Sequence, residues 1–347
     1  MKKGTALLVC TILSIFLISL VVPLTSAALT DNLTHYWNMD ETAGTNVADQ
    51  VGLTNGTITD AGRIKHEPGK INYGTNYTTT TAAGINVSNE SLYDDIFNGS
   101  NPFSVAVWVR NTAATCAAAT GDTVFSKGVN SPNGFLSIQY KDDATCRPEF
   151  EIEGNNGNRY RVNTNSNQWQ NGVWYHWVIT YNGSINQVSS VKIYINGTSV
   201  PVTMSQGNVN TIMSNDYTVK IGEGAISSGS AYQFLGDLDE LGLWDRVLTS
   251  AEVTELWASG AGNAWPFAGP PLNLDIVSPL NQTYNVPSIT FNVTNTSTAA
   301  LDTCKFTIND WATNYTMTVS GDYANYTNSS MDEAQYTAEY WCNDSFN

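Results

Sequence analysis

Residues 103–110 alternate strictly. Phe103, Val105, Val107 and Val109 fall on one side of an extended chain, and Ser104, Ala106, Trp108 and Arg110 on the other. Successive side chains of a strand point to opposite faces, so a period of two fits a strand and not a helix. Val191, Ile193 and Ile195 repeat the pattern and stop at Asn196-Gly197, a dipeptide suited to a tight hairpin. Similar strands are expected over 134–140, 149–153, 174–181, 219–222 and 238–244. Many short strands with little helix between them lead to an all-β fold of packed antiparallel sheets, not to a parallel sheet.

One helix is well marked. Thr249-Ser250-Ala251-Glu252 is a capping box, Leu248 and Val253 flank it as a hydrophobic staple, and Gly260 is placed to close the end. Leu256 and Trp257 are expected to bury it against the sandwich. Ala268-Gly269-Pro270-Pro271 then interrupts the pattern as an extended spacer. Beyond it, strands are expected over 274–276, 288–293, 303–308 and 336–341. Tyr340 stands two residues before Cys342, the spacing of the tyrosine corner in immunoglobulin-like sandwiches. The sequence stops soon after that strand, so the expectation is a module lacking one strand in a fragment of a longer protein.

At the other end, Lys2 and Lys3 precede an almost wholly apolar run over 6–24, and Thr25-Ser26-Ala27-Ala28 supplies small residues for cleavage. That is the pattern of a secretory signal peptide, with an uncleaved anchor as the competing reading. No second stretch approaches the roughly 18–20 apolar residues needed to span a bilayer. An extracellular or cell-surface location, with no membrane span in the mature chain, is therefore expected. The 15 Lys and Arg against 31 Asp and Glu exclude a nucleic-acid binder, which needs the opposite balance to neutralise phosphates. More than a dozen Asn-x-Ser/Thr sequons occur, among them Asn55, Asn76, Asn86, Asn182, Asn196, Asn292, Asn314 and Asn325. They suit a glycoprotein, although an Asn- and Thr-rich chain also makes sequons by chance.

The expected division is a signal peptide over 1–27, an antiparallel β-sandwich domain over 28–267, a linker over 268–273 and a partial immunoglobulin-like module over 274–347. Once Cys10 leaves with the signal, four cysteines remain, and an even number in an exported chain points to disulfides. Of the three possible pairings, Cys116–Cys146 and Cys304–Cys342 keep each bond inside one domain. A zinc site is disfavoured because there is no Cys-x-x-Cys and no nearby His.

Four blocks together resemble one family. They are YWNMDETAGTNVADQVGLTNGT (36–57), FSVAVWVR (103–110), WYHWVITYNG with VKIYING (174–197), and FLGDLDELGLWDRVLTSAEVTELW (234–257). In this order and spacing they are similar to the laminin-G-like jelly-roll of the concanavalin A-like lectin/glucanase group. The tail resembles immunoglobulin-like modules of surface proteins. The resemblance implies a binding or adhesion protein that recognises a glycan or a cell-surface protein, with an envelope glycoprotein lacking a specific ligand, or a glycoside hydrolase or its accessory module, as alternatives. It also implies a structural Ca²⁺ held by Asp49, carbonyl groups near Asn55, and Asp239. Against that stands the plainer reading that Asp49 starts a turn and Asp239 caps a strand end.

The same fold houses glycosidases, which need two carboxyls flanking the bond. Glu149, Glu151 and Glu153 place three on one strand face, but the central residue is Glu where the glucanase pattern has Asp. They are read as a solvated face of a binding protein, and no catalytic residue is assigned. Only His35, His66 and His176 exist, and no Gly-x-Ser-x-Gly elbow or metal-binding His pair occurs. Trp169, Trp174 and Tyr160 are candidates for an aromatic sugar platform, and the ligand itself stays unassigned.

Overall fold

The computed structural model describes residues 28–344 except 53, 79–80, 88–90, 113–122, 129–133, 142–145, 155–156, 167–169, 210–217, 225–231, 268–271 and 297–300. The expected signal peptide, most of the linker, Cys116 and Trp169 lie outside the described residues. The larger unit begins with β1 (Leu33–Trp37), β2 (Asn46–Val47), β3 (Gly56–Ile58), β4 (Ile64–Pro68), β5 (Tyr73–Tyr77) and β6 (Ile85–Val87). After the short helix α1 (Ser91–Ile96) come β7 (Phe103–Asn111), β8 (Thr123–Gly128), β9 (Phe135–Tyr140), β10 (Pro148–Glu153), β11 (Arg159–Thr164) and β12 (Trp174–Tyr181). β13 (Val191–Ile195), β14 (Thr198–Val200), β15 (Val202–Gly207), β16 (Val219–Ile221), β17 (Gly236–Trp244) and helix α2 (Ser250–Trp257) complete it.

These strands form two sheets. The first runs β14-β13-β12-β7-β17-β5-β4, with β1 also paired to β17. The second runs β15-β11-β10-β9-β8-β16-β6-β3-β2. Non-consecutive neighbours such as β7 beside both β12 and β17 are the crossovers of a jelly-roll, and these pairs run antiparallel. The alternation read from the sequence decides what lies between the sheets. Val105, Val107, Val109, Trp177, Ile179 and Leu243 of the first sheet meet Leu136, Ile138, Phe150, Ile152, Tyr160 and Val162 of the second in one core.

The other face of the first sheet is covered as well. Ala106, Val178, Tyr194 and Trp244 pack beneath Leu29, Leu33, Val253, Leu256 and Phe267. Helix α2 supplies part of this cover, and its start is fixed as expected. Thr249 accepts from the Glu252 amide, and the Glu252 carboxylate accepts from Thr249 in return. Glu252, only 1% exposed, also takes both Nη atoms of Arg246, which in turn donates to the Ala28 and Asp31 carbonyls. One capping carboxylate therefore links the helix to the N-terminal segment. The helix ends differently from expectation: Ala258, at φ 46°, takes the left-handed cap, because the chain already turns there and Gly260 falls two residues later, at φ 92°.

The smaller unit contains β18 (Leu274–Ser278), β19 (Ile289–Asn295), β20 (Leu301–Thr307), β21 (Tyr315–Thr316), β22 (Thr318–Ser320), β23 (Tyr323–Asn328) and β24 (Glu339–Asp344). One sheet runs β18-β19-β23-β22, the A-B-E-D order of immunoglobulin domains, and the other runs β21-β20-β24. Phe291 and Phe306 stack at 4.0 Å in the core between them. Cys304 and Cys342 form a disulfide across directly paired positions of β20 and β24. It is therefore a bond within one sheet, unlike the inter-sheet bridge of antibody domains. Cys146 is disulfide-bonded too, while its expected partner lies outside the described residues. The Tyr340 hydroxyl does not return to nearby backbone as a tyrosine corner would; it donates to the Ser278 carbonyl at 2.9 Å, joining β24 to the end of β18.

Glu252→Ala is expected to cost about 3 kcal/mol, because it removes the buried partner of Arg246 together with the acceptor for the Thr249 amide. Thr249→Ala should cost about 1 kcal/mol, the usual value of a lost N-cap. Urea unfolding with an unchanged m-value measures both.

Candidate functional site

Strands β9, β10 and β11 lie side by side, with Glu149 opposite Gln139 and Asn163, and Glu151 opposite Ser137 and Arg161. Because Phe150 and Ile152 face the core, Glu149, Glu151 and Glu153 share the outer face of the second sheet with Gln139, Arg159 and Arg161. At ~3.4 Å per residue, neighbouring glutamates are about 7 Å apart along the strand. The expectation of a solvated strand is corrected here: each of the three is only 1% exposed.

Burial of like charges is tolerable only if they are paired or protonated. Arg161 lies 2.8 Å and Arg159 3.2 Å from Glu151, and Arg159 lies 2.9 Å from Glu153. Gln139 bridges Glu149 and Glu151 through one Nε2, at 3.3 and 3.2 Å. Glu149 has no arginine in contact among the described residues, and its second oxygen is buried without a hydrogen bond. Burial, reinforced by the Glu151 charge, pushes the Glu149 carboxyl up to about 7. Burial also raises Glu151, against the pull of Arg161 and Arg159. Solvent reaches the row through the arginines, whose side chains are 30% (Arg159) and 15% (Arg161) exposed. Adjacent acceptors and fork-shaped donors are what a hydroxyl needs, since it both donates and accepts.

The aromatic candidates fare differently. Tyr160 is fully buried against Phe150 and Tyr181, and its hydroxyl donates to the Gln187 carbonyl, so it is core and not a platform. Trp174 reaches the surface, but the Arg110 guanidinium lies over its ring at 4.8 Å, with Arg110 anchored 2.7 Å from Asp237. His176 is buried beside Trp108, and burial lowers it to about 3, so it stays neutral at physiological pH.

The residues expected to hold Ca²⁺ lie in two places, Asp49 with Asn55 beside β1 and Asp239 in β17. Asp49 Oδ1 accepts the amides of Tyr36, Val51 and Gly52, and Oδ2 takes His35 Nδ1 at 2.6 Å. Although burial opposes it, the bonds from His35, Tyr36 and Val51 hold the Asp49 carboxyl below its ordinary value. Asn55 Oδ1 is used by the Asp49 amide. Trp37 pairs with Leu241 on one side and bridges Asp49 on the other, so β1 separates Asp49 from β17 by two strand spacings, about 10 Å. Asp239 sits instead at a bulge in β17, where Glu240 has φ 54°. Its Oδ2 accepts the Lys70 and Ile71 amides, and Glu240 accepts from the Tyr36 hydroxyl. Burial first, then the neighbouring charges, raise Asp239 to about 9 and Glu240 to about 8. Among the described residues no three His, Cys, Asp or Glu side chains are grouped to hold a metal. Ca²⁺ needs six to eight oxygens. Asp49 thus organises its loop and Asp239 the bulge, while Asp239 Oδ1 and Glu240 Oε1 are buried without a hydrogen bond.

The family model Laminin_G_3, of the concanavalin A-like lectin/glucanases superfamily, matches residues 78–254, which is 177 of the 347 residues. The chain belongs to this superfamily. The concanavalin A-like sandwich thus contains β7 to β17 and with them the whole glutamate row. No curated protein matches the chain. Among solved structures, a sialidase of Trypanosoma rangeli in complex with 2,3-difluorosialic acid is similar at 17% identity and TM-score 0.47, over 68% of this chain and 35% of that one. The binding domain of Paraclostridial Mosquitocidal Protein 1 is similar at 15% identity and TM-score 0.47, over 79% and 65%. The botulinum neurotoxin serotype G binding domain is similar at 11% identity and TM-score 0.48, over 90% and 81%. The chain spans about a third of the length of the sialidase. Similarity at this level bears on neither ligand nor activity.

Two measurements test these carboxylates. A carboxyl raised from 4.5 to about 7 in the folded state keeps its proton where the unfolded chain has lost it, so stability falls as pH rises through that window. Glu149→Gln should therefore stabilise the fold by up to about 3 kcal/mol at pH 8 and change little at pH 4, as read by urea unfolding. Separately, melting in millimolar calcium and in chelator at matched ionic strength tests the expected ion: a rise of several degrees with calcium alone supports it, and coincident curves contradict it.

Proposed function

We propose that the chain is an exported or cell-surface binding protein that recognises carbohydrate on the outer face of its second sheet and does not cleave it. The observation that carries this reading is the buried row of Glu149, Glu151 and Glu153, interleaved with Gln139, Arg159 and Arg161, on the face turned away from the core. Membership of a lectin/glucanase superfamily supports the ligand class. Ligand pockets fix orientation through a few placed polar groups on a rigid scaffold, and this row is held by three paired strands. The smaller sandwich would serve as a spacer, holding the binding face away from its attachment.

Binding without cleavage is supported by the charge pairing of two of the carboxylates. A glycosidase needs two free carboxyls, about 5–5.5 Å apart for retention or about 6.5–9.5 Å for inversion. Arg159 and Arg161 engage Glu151 and Glu153, which leaves Glu149 alone with an uncommitted oxygen. One observation favours the hydrolase alternative: Glu149, near 7, has the protonation of a general acid beside a second carboxylate. An envelope glycoprotein without a specific ligand is favoured only by the density of sequons.

A glycan array followed by calorimetry separates the three. Binding is expected, and Arg159→Ala should weaken it at least tenfold, about 1.4 kcal/mol. A blank array supports the envelope reading. Turnover of β-glucans that Glu149→Gln abolishes would establish the hydrolase.

A further inference from the structure

A shallow, open depression of about 300 Å³ lies on the smaller sandwich, lined by Lys305, Trp311, Asn314 and Trp341. Trp311 is 40% and Trp341 48% exposed. Strand pairing sets Lys305 between Thr316 and Trp341, and the Cys304–Cys342 disulfide pins the two strands one residue away. Trp311 stands in the loop between β20 and β21 at φ 61°, a left-handed conformation that costs a bulky aromatic residue free energy. Thr307 Oγ1 fixes the conformation by accepting the Trp311 and Asn309 amides, while Asn309 Oδ1 accepts the Thr313 amide. The loop thus holds a large ring in the open at a backbone cost that burial does not repay. Asn314 is exposed, makes no hydrogen bond among the described residues, and begins the sequon Asn314-Tyr315-Thr316 three residues after Trp311.

We propose that Asn314 is N-glycosylated and that the first pyranose of its glycan lies on Trp311, with Trp341 and Lys305 flanking it in the depression. In the modification, Asn314 Nδ2 forms a bond to the anomeric carbon of a lipid-linked glycosyl diphosphate. The carbon–oxygen bond to the diphosphate breaks, its electron pair leaves with the phosphate, and Nδ2 gives a proton to a base of the transferase. The C–H face of a pyranose is apolar and matches the electron-rich face of an indole. The Lys305 ammonium offers three donors to ring hydroxyls. A free sugar would need more polar partners than one ammonium and one amide. A tethered sugar meets the rings at millimolar or higher effective concentration, so weak stacking suffices. The proposal depends on export, and it is independent of the carbohydrate-binding face on the larger sandwich.

The full chain, secreted with its own leader from a host that N-glycosylates, tests it. Glycopeptide mass spectrometry is expected to find Asn314 occupied. Thr316→Ala removes the sequon at an exposed position, giving a matched chain without this glycan. Trp311→Ala should lower the melting temperature by about 2–4 °C in the glycosylated chain and by less than 1 °C in the Thr316→Ala background. Trp311→Phe should retain most of the difference, which separates stacking from a misfolded loop. An unmodified Asn314, alone or together with every other sequon, overturns the proposal. So does an occupied Asn314 whose loss leaves the effect of Trp311→Ala unchanged, or tight binding of free N-acetylglucosamine oligomers by the Thr316→Ala chain, which would make the depression a lectin site.

Discussion

All nine residues of β17 are buried, and most of the larger sandwich is arranged around that fact. A strand buried on both faces needs cover on both. The core between the sheets takes Leu238, Leu241 and Leu243, while Trp244 turns to the opposite side under the N-terminal segment, α2 and Phe267. Trp244 Nε1 donates to the Leu29 carbonyl at 2.7 Å, and Arg246 reaches from the Ala28 carbonyl to the capping Glu252. Segments more than two hundred residues apart in sequence are thereby closed over one sheet. The outer face of the first sheet is thereby covered around Trp244, while Arg110 and Trp174 on the same face stay partly exposed.

The second sheet is built differently. Its core side is as apolar as that of the first, but its outer side carries glutamates, arginines and a glutamine where a purely structural sheet needs only solvated or apolar groups. A buried ion pair seldom stabilises more than well-packed apolar residues of the same size. Three buried carboxyls on a single strand therefore cost stability, and a cost of this kind at one face of a rigid scaffold is a mark of recognition or chemistry. Arg159 and Arg161 commit two of the three carboxyls, Glu151 and Glu153, to charge pairing.

Much of this was legible in the sequence, for physical reasons that differ from place to place. The period of two in 103–110 and 174–181 is enforced by a core on one side, and the strands fall where the pattern put them. The capping box was readable because its bonds are local, between Thr249 and Glu252. Burial of the outer row was not readable, because alternation says which face a residue takes and nothing about what covers that face. Tyr160 shows the same limit from the other side, since its even position in β11 assigns it to the core only once the register with β10 is known. Asp49 was read as a calcium ligand or a turn start, and its partners, His35 and the Tyr36 amide, come from a strand pairing that spacing does not reveal.

The central claim is that the Glu149 row is a buried, coupled polar face and not a solvated one. Carbon-13 NMR titration of the glutamate side chains tests it directly, with Glu149→Gln, Glu151→Gln and Glu153→Gln for assignment. Glu149 is expected to titrate near 7, well above an ordinary glutamate, with its midpoint falling when Glu151 is neutralised. Glu149 titrating near 4.5, like an ordinary glutamate, would contradict the account and return the strand to an ordinary solvent-facing edge.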